Sequence, residues 1–262
     1  MKNEKVFELT QICIDSMTTN PHPSIVQSYL EQISHTLGYD YFLFGFSAPK
    51  NMNRSNHFIL SNYPIKWRLK YDENQYIKKD PIISYSVKSA SPILWNKLTK
   101  NLTCPDELKV MKEAAAYGLS NGFSVPIHGI LGEKGVLSFA SKTNNVSKDI
   151  VNDMATASLL SLRLYDLIKQ NPKIAGLPQP VITSQSGTNH LTEREKTCLM
   201  WVADGKSSWE ISQILNCSER TINFHLQNAR EKLNTYTRTQ TVSQALLTGQ
   251  ISPTVDSPVK SY

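Results

Sequence analysis

LTEREKTCLMWVADGKSSWEISQILNCSERTINFHLQNAREKLN, running from Leu191 to Asn234, carries its helix boundaries in side-chain chemistry. Thr192 and Glu195 form a T-x-x-E capping box, in which hydroxyl and carboxylate each satisfy a free amide at a helix start, and Gly205 ends the helix so begun. Ser207 and Glu210 repeat the device as S-x-x-E, opening a short helix that closes at Asn216, a residue tolerant of left-handed geometry. Ser218 caps a third helix, from about Glu219 to Leu233. Short helix, tight turn and longer helix are the outline of a helix-turn-helix. Arg238 to Leu247 reads as a fourth helix, ending near Gly249.

On the third helix, Ile222, Leu226, Ala229 and Leu233 follow at steps of four, three and four, so they share one buried stripe. The opposite face carries Arg220, Asn223, Phe224, Gln227, Asn228 and Glu231. Amide side chains can pair with base edges, arginine can meet phosphate or guanine, and an outward phenylalanine can pack on a thymine methyl. Taken alone, the same residues read as a solvated face with Phe224 tucked against a neighbouring helix. Thr188 to Gln250 holds seven Lys/Arg and six Asp/Glu, a net of one positive charge. One copy therefore grips DNA weakly, and a dimer on half-sites about one helical turn apart is expected.

Upstream, Asn171 to His190 (NPKIAGLPQPVITSQSGTNH) contains three prolines and two glycines without a sustained period, and reads as a linker. The expected division is a ligand-binding and dimerisation domain over 1–170, a linker over 171–189, a DNA-binding domain over 190–251 and a tail over 252–262. In the front part, Ser24 to Leu37 has helical spacing and stops at Gly38. Asp40 to Ser47 (DYFLFGFS) reads as a strand and His57 to Leu60 as a shorter one. Gly122 to His128 and Val136 to Ser141 flank a glycine-bearing turn and suit a hairpin. Ser147 to Lys169 reads as a long helix with Val151, Met154, Ala155, Ser158, Leu159, Leu162 and Tyr165 on one side, facing either the core or a second subunit. The fold class expected is α+β: an αβα sandwich around an antiparallel sheet, followed by an all-α four-helix domain.

Composition narrows the function classes. A net charge of +6 and a pI near 9.0 tilt only mildly toward a polyanionic partner. There is no run of about 18 apolar residues to span a bilayer, so a cytoplasmic protein without a membrane partner is expected. The four cysteines, Cys13, Cys104, Cys198 and Cys217, have no CxxC spacing, and the six histidines show no HxxxH pair, so no metal and no cofactor is expected. GILGEKG lacks dinucleotide-binding spacing, and no GxSxG elbow is present, which argues against an enzyme. An aromatic, antiparallel front domain does not offer the parallel receiver of a response regulator.

At Leu191–Asn234 the chain resembles the LuxR/GerE-type helix-turn-helix family. In front of it, NYPIKWRLKYDENQYIKKDPI (62–82), SPILWN (91–96) and GLSNGFSVPIH (118–128) resemble the autoinducer-binding domain of acyl-homoserine-lactone receptors. The likeness runs from about Asn62 to Ile251 with motifs in order, while the first 60 residues share only a similar pattern. It implies a quorum-sensing regulator that binds an N-acyl-homoserine lactone and, as a homodimer, binds double-stranded promoter DNA and works with RNA polymerase as an activator. The alternatives are a receptor of the same family for another small molecule, or a ligand-independent regulator.

The resemblance also implies residue roles. Trp67 donates its indole N–H to the lactone carbonyl, Tyr71 and Ser138 bond the acyl carbonyl, and Asp80 accepts from the ligand amide. Trp95 packs on the lactone ring, Tyr63 contributes to the wall, Pro81 fixes the turn after Asp80, and Gly122 leaves room for the ligand. A neutral amphiphile with one N–H and two carbonyls needs one acceptor, several donors and an aromatic box. Taken singly, Trp67, Tyr71 and Trp95 read as core aromatics and Asp80 before a proline as a cap or turn. In the second domain the resemblance turns Asn223, Phe224 and Gln227 toward bases, with Arg220, Thr221 and His225 nearer phosphates. Asn228 shares that face. Amides stand here where several relatives carry Lys or Arg, so base preference does not transfer.

Overall fold

Alternation along three strands organises the front of the chain. The computed structural model describes residues 2–19, 22–51, 54–143, 149–172 and 190–252, and the chain divides into two compact units, one of Met1–Ala48 with Ser55–Pro178 and one of Pro49–Arg54 with Gln179–Tyr262. In the front part of the chain, β1 (Tyr41–Asn51), β2 (Arg54–Ser61), β3 (Ile93–Leu94), β4 (Asn121–His128) and β5 (Lys134–Ser141) form one sheet in the order β2-β1-β5-β4-β3. The pairs β1–β5, β4–β5 and β3–β4 are antiparallel. Because side chains alternate across a strand, Phe42, Phe44 and Phe46 of β1 join Phe123, Val125, Leu137 and Phe139 in one core layer, beneath α1 (Lys2–Thr19), α2 (Pro23–Leu37) and α7 (Ile150–Gln170). Tyr41 and Leu43 of β1, with Val136 and Ala140 of β5, face the opposite layer. That layer is roofed by α3 (Ile65–Glu73), a 3-10 turn (Tyr76–Lys78), α4 (Pro81–Lys88), α5 (Trp95–Lys100) and α6 (Pro105–Ala116). This is the expected αβα sandwich.

The expected helix from Ser24 opens one residue earlier, at Pro23, and stops at Gly38, whose φ of 87° only glycine adopts freely. The strand read at Asp40–Ser47 runs on to Asn51, and the turn read between Gly122–His128 and Val136–Ser141 does join a hairpin. Of the stripe read on the long helix, only Met154 and Tyr165 pack against the core, so the reading of that side as the core face is corrected. The face of α7 turned to the sheet is Asp153, Ala157, Leu160, Ser161, Leu164, Leu167 and Ile168. Val151 and Leu162 of the expected stripe are 76% and 60% exposed, and Ala155 and Leu159 also lie at the surface. A helix with leucines on both sides gives periodicity no means of choosing between them. Ser147 lies outside the described residues, as does nearly all of the expected linker.

The second unit is four helices: α8 (Glu193–Ala203), α9 (Ser208–Ile214), α10 (Glu219–Lys232) and α11 (Arg238–Leu247). Both capping boxes close. Thr192 and Ser207 accept from the amides of Glu195 and Glu210, whose carboxylates accept from the cap amides in return. Gly205 and Asn216 have φ of 80° and 49° where their helices stop. Leu199, Ile211, Ile222, Leu226, Ala229 and Ala245 form the core. Glu195 also takes the Lys232 ammonium at 2.8 Å, joining α8 to α10. Burial alone would raise its pKa, but the bonds from Lys232 and Thr192 hold the carboxyl below the usual range.

Candidate functional site

A cavity of about 660 Å³ lies between the sheet and the α3–α6 roof, within the size range of small-molecule sites. Of the eight residues expected to bind ligand, six line it: Tyr63, Trp67, Tyr71, Asp80, Trp95 and Ser138. The roof brings them together through local structure. Trp67 and Tyr71 are one turn apart on α3, share its buried side, and meet edge to face with ring centroids 5.7 Å apart. Tyr76 and Tyr117 close around Trp67 at 5.9 and 5.7 Å. No described protein group accepts from the Trp67 indole N–H, which leaves a donor in the cavity wall.

Asp80 fills two roles at once. It is the N-cap of α4, with Oδ1 accepting from the Ile82 amide at 2.8 Å, so the reading as a helix cap holds. Its Oδ2 accepts from the Tyr71 hydroxyl at 2.8 Å. Burial pushes the Asp80 carboxyl above the ordinary aspartate range, against the pull of Tyr71 and of the Ile82 and Ile83 amides. Burial and the Asp80 charge together drive the Tyr71 phenol far up, so it stays protonated. Tyr71 has one proton and here gives it to Asp80, so it cannot donate to a ligand carbonyl in this arrangement.

Ser138 belongs to a polar chain across the sheet face. The Trp95 indole donates to Ser124 Oγ at 2.8 Å, and Ser124 lies 2.8 Å from Ser138 Oγ. An indole can only donate, so Ser124 accepts from it and can pass its own proton to Ser138, which leaves the Ser138 proton for Tyr63 or the cavity. Burial, then the Asp80 charge, raises the Tyr63 phenol, while a hydrogen bond with Ser138 opposes the rise.

Two expected residues are not in the wall. Pro81 is the first residue of α4 and is buried, its fixed φ suited to a helix start rather than to a turn. Gly122 does not leave room for a ligand. A Cβ built there would stand 2.3 Å from the carbonyl oxygen of Phe139 and 3.1 Å from Ala140 Cα, so the glycine serves the close approach of β4 to β5. Sequence reasoning also missed Leu43, Gly45 and Val136, Ile82, Ile83 and Ser86, and Val110, Met111 and Ala114, all of which line the cavity. Strand parity gives the first group once Ser138 is placed, because Leu43 pairs with Ser138 and Gly45 with Val136. The helical spacing of 110, 111 and 114 gives the last.

In the second unit, the seven residues expected at DNA all lie on α10, away from its buried stripe of Ile222, Leu226 and Ala229. Arg220, Thr221, Asn223, Phe224 and Gln227 are exposed; His225 and Asn228 are half-buried. Phe224 is 60% exposed and meets only the edge of His225, ring to ring at 5.7 Å, so it is not tucked against a neighbouring helix. Asn223 Oδ1 accepts from Ser208 Oγ at 2.7 Å, which ties α9 to α10. Arg238 donates to Ser208 Oγ and to the Lys206 carbonyl, adding α11 to that joint. Gln227 donates to Glu231 at 2.7 Å.

No helix of the described residues is long and apolar enough to cross a membrane, and no group of three or more His, Cys, Asp or Glu among them could hold a metal. Residues 24–167 match the family described as Autoinducer binding domain, and residues 189–245 match the one described as Bacterial regulatory proteins, luxR family. The transcriptional activator LuxR of Aliivibrio fischeri is 37% identical over 250 residues, 95% of this chain and 94% of that protein. The transcriptional activator VanR of Vibrio anguillarum is 33% identical over 261 residues, 95% of this chain and 99% of its own. Among solved structures, Escherichia coli SdiA has the same fold with a TM-score of 0.65 at 24% identity, covering 94% of this chain and 99% of SdiA. The cavity therefore sits in an autoinducer-binding domain and α10 in a DNA-binding one, and the chain belongs to the LuxR family of quorum-sensing transcriptional regulators.

Proposed function

We propose that the small molecule is an N-acyl-homoserine lactone, and that its binding supports a dimer able to hold promoter DNA. The observation that carries this reading is the inventory of hydrogen-bonding groups at one end of the cavity. One buried acceptor, Asp80, faces a free donor on Trp67 and a proton on Ser138, within a box of Tyr63, Tyr71 and Trp95. A ligand amide N–H would take the place of Tyr71 at Asp80, and the freed Tyr71 proton would turn with that of Ser138 to the acyl carbonyl. Trp67 would then donate to the lactone carbonyl while Trp95 covers the ring. The amide N–H and both carbonyls of the headgroup would be paired, as buried polar groups require.

Two copies are favoured by charge and surface. A helix-turn-helix unit with one net positive charge gains phosphate contacts by doubling. Val151, Leu159 and Leu162 give α7 an exposed apolar face suited to a second copy. Asn223, Phe224 and Gln227 would meet base edges, and Arg220, Thr221, His225 and Asn228 would lie along the backbone or groove wall. Activation, the activity named for the relatives, would require contact with RNA polymerase in the cytoplasm.

Mass spectrometry of the small molecule retained by protein produced beside a panel of acyl-homoserine lactones tests the ligand class. A single lactone bound stoichiometrically and intact is expected, together with a melting temperature that rises with its concentration. Retention of none, with no change in melting temperature, would remove the proposal. Turnover of the lactone would replace it with an enzyme.

A further inference from the structure

We infer that Ser86 is a specificity-determining residue, its hydroxyl donating to an oxygen carried on the acyl chain of the ligand. The inference rests on the acyl-homoserine-lactone reading and deepens it. Ser86 is 6% exposed, lines the cavity, and its Oγ makes no hydrogen bond to any described protein group. A helical serine ordinarily relieves such a hydroxyl by donating to the carbonyl one turn back, and Ser158 does so toward Met154 at 2.7 Å. Ser86 does not, and its cavity-lining neighbours on α4, Ile82, Ile83 and Val87, offer no acceptor side chain. A buried hydroxyl without a partner destabilises the fold unless something in the cavity accepts its proton.

Its place along the cavity says which part of the ligand that is. Asp80 starts α4 beside Tyr71. At the other end of α4 the Ser89 carbonyl lies 3.1 Å from His128 Nε2, and His128 pairs across the sheet with Lys134. Helix α4 therefore descends beside β5 from the headgroup end toward Lys134, four residues and roughly 13 Å along the strand from Ser138. Ser86 stands six residues past Asp80, roughly 9 Å along the helix axis, and its Cβ leans back toward the start. That puts the hydroxyl beyond the amide group and alongside the early carbons of the chain, where an oxo or hydroxyl substituent would meet it.

Full-length protein and Ser86→Ala are titrated with octanoyl-homoserine lactone and with its 3-oxo and 3-hydroxy counterparts. The wild type is expected to prefer an oxygenated ligand about ten-fold, the scale of one buried hydrogen bond. Ser86→Ala should lose that preference while holding the unsubstituted ligand as tightly as before, and its ligand-free melting temperature should not fall. Ser86→Cys, similar in size with a weaker donor, should lose most of the preference and guards against a folding artefact. A wild type without preference, or an alanine variant that keeps it, would overturn the inference and leave the ligand class standing. A wild type that binds none of the three lactones would overturn both.

Discussion

Asp80→Ala is expected to weaken binding of the lactone by about 1.5–3 kcal/mol, roughly 10–150-fold, the range for a hydrogen bond to a charged group. Calorimetry on the purified full chain checks it. The same substitution removes the N-cap of α4, which costs about 1 kcal/mol of stability, and strands the Tyr71 hydroxyl. Asp80→Asn separates the two effects, because its amide oxygen can still accept from Ile82. It should recover the melting temperature and leave the affinity low. Equal affinity in wild type and both variants would take Asp80 out of the site.

A pH dependence follows with a definite sign. Burial holds the Asp80 pKa of the free protein above the ordinary aspartate range, and a ligand N–H donating to the carboxylate stabilises the ionised form. Binding then expels a proton at low pH. Affinity is full above the raised pKa and falls as pH drops through it, by up to ten-fold per unit. For the ligand-free fold the sign is opposite. The raised pKa favours folding at low pH, and that contribution is lost as pH rises through the folded value. Asp80→Asn should flatten the affinity profile.

Gly122→Ala is expected to cost about 3 kcal/mol or more of folding stability, at the upper end of overpacking penalties. The added Cβ would sit 2.3 Å from the Phe139 carbonyl oxygen, and the obstacle is backbone of the paired strand rather than a side chain that can turn aside. Relief requires β4 to part from β5, the middle strand of the sheet, where Gly122 faces Ala140. Denaturant unfolding of ligand-free protein measures this directly. Had the glycine served to leave space for ligand, ligand-free stability would be unchanged and only affinity would fall, and that result would contradict the structure.

The DNA-binding unit was legible almost to the residue because its signals are local. Thr192, Ser207, Ser218 and Thr237 each accept from the amide three residues ahead, so a boundary can be read from a few neighbouring side chains. The ligand domain was legible where strands alternate and opaque in its roof. Helices α3, α4 and α5 are six to nine residues long and wrap a cavity lined with tyrosine, tryptophan and aspartate. They lack the long apolar stripe that periodicity detects. Family likeness placed Trp67, Tyr71, Asp80, Trp95 and Ser138 in one site, but not how they are paired. Asp80 and Tyr71 are nine residues apart, and Trp95 reaches Ser138 through Ser124 of another strand, so both links depend on the three-dimensional fold. Gly122 was misread because its constraint comes from Phe139, 17 residues away. Ser86 went unnoticed because only the structure reveals a hydroxyl without a partner.

On the proposed reading, occupation of the cavity governs DNA binding by the second unit. Its most direct test is the affinity of full-length protein for a DNA fragment selected by the liganded protein from a random pool, with and without saturating lactone, at one salt and protein concentration. Binding is expected to be tighter by roughly 5–150-fold with ligand, the usual span of coupling between sites. Equal affinity in the two states would contradict it.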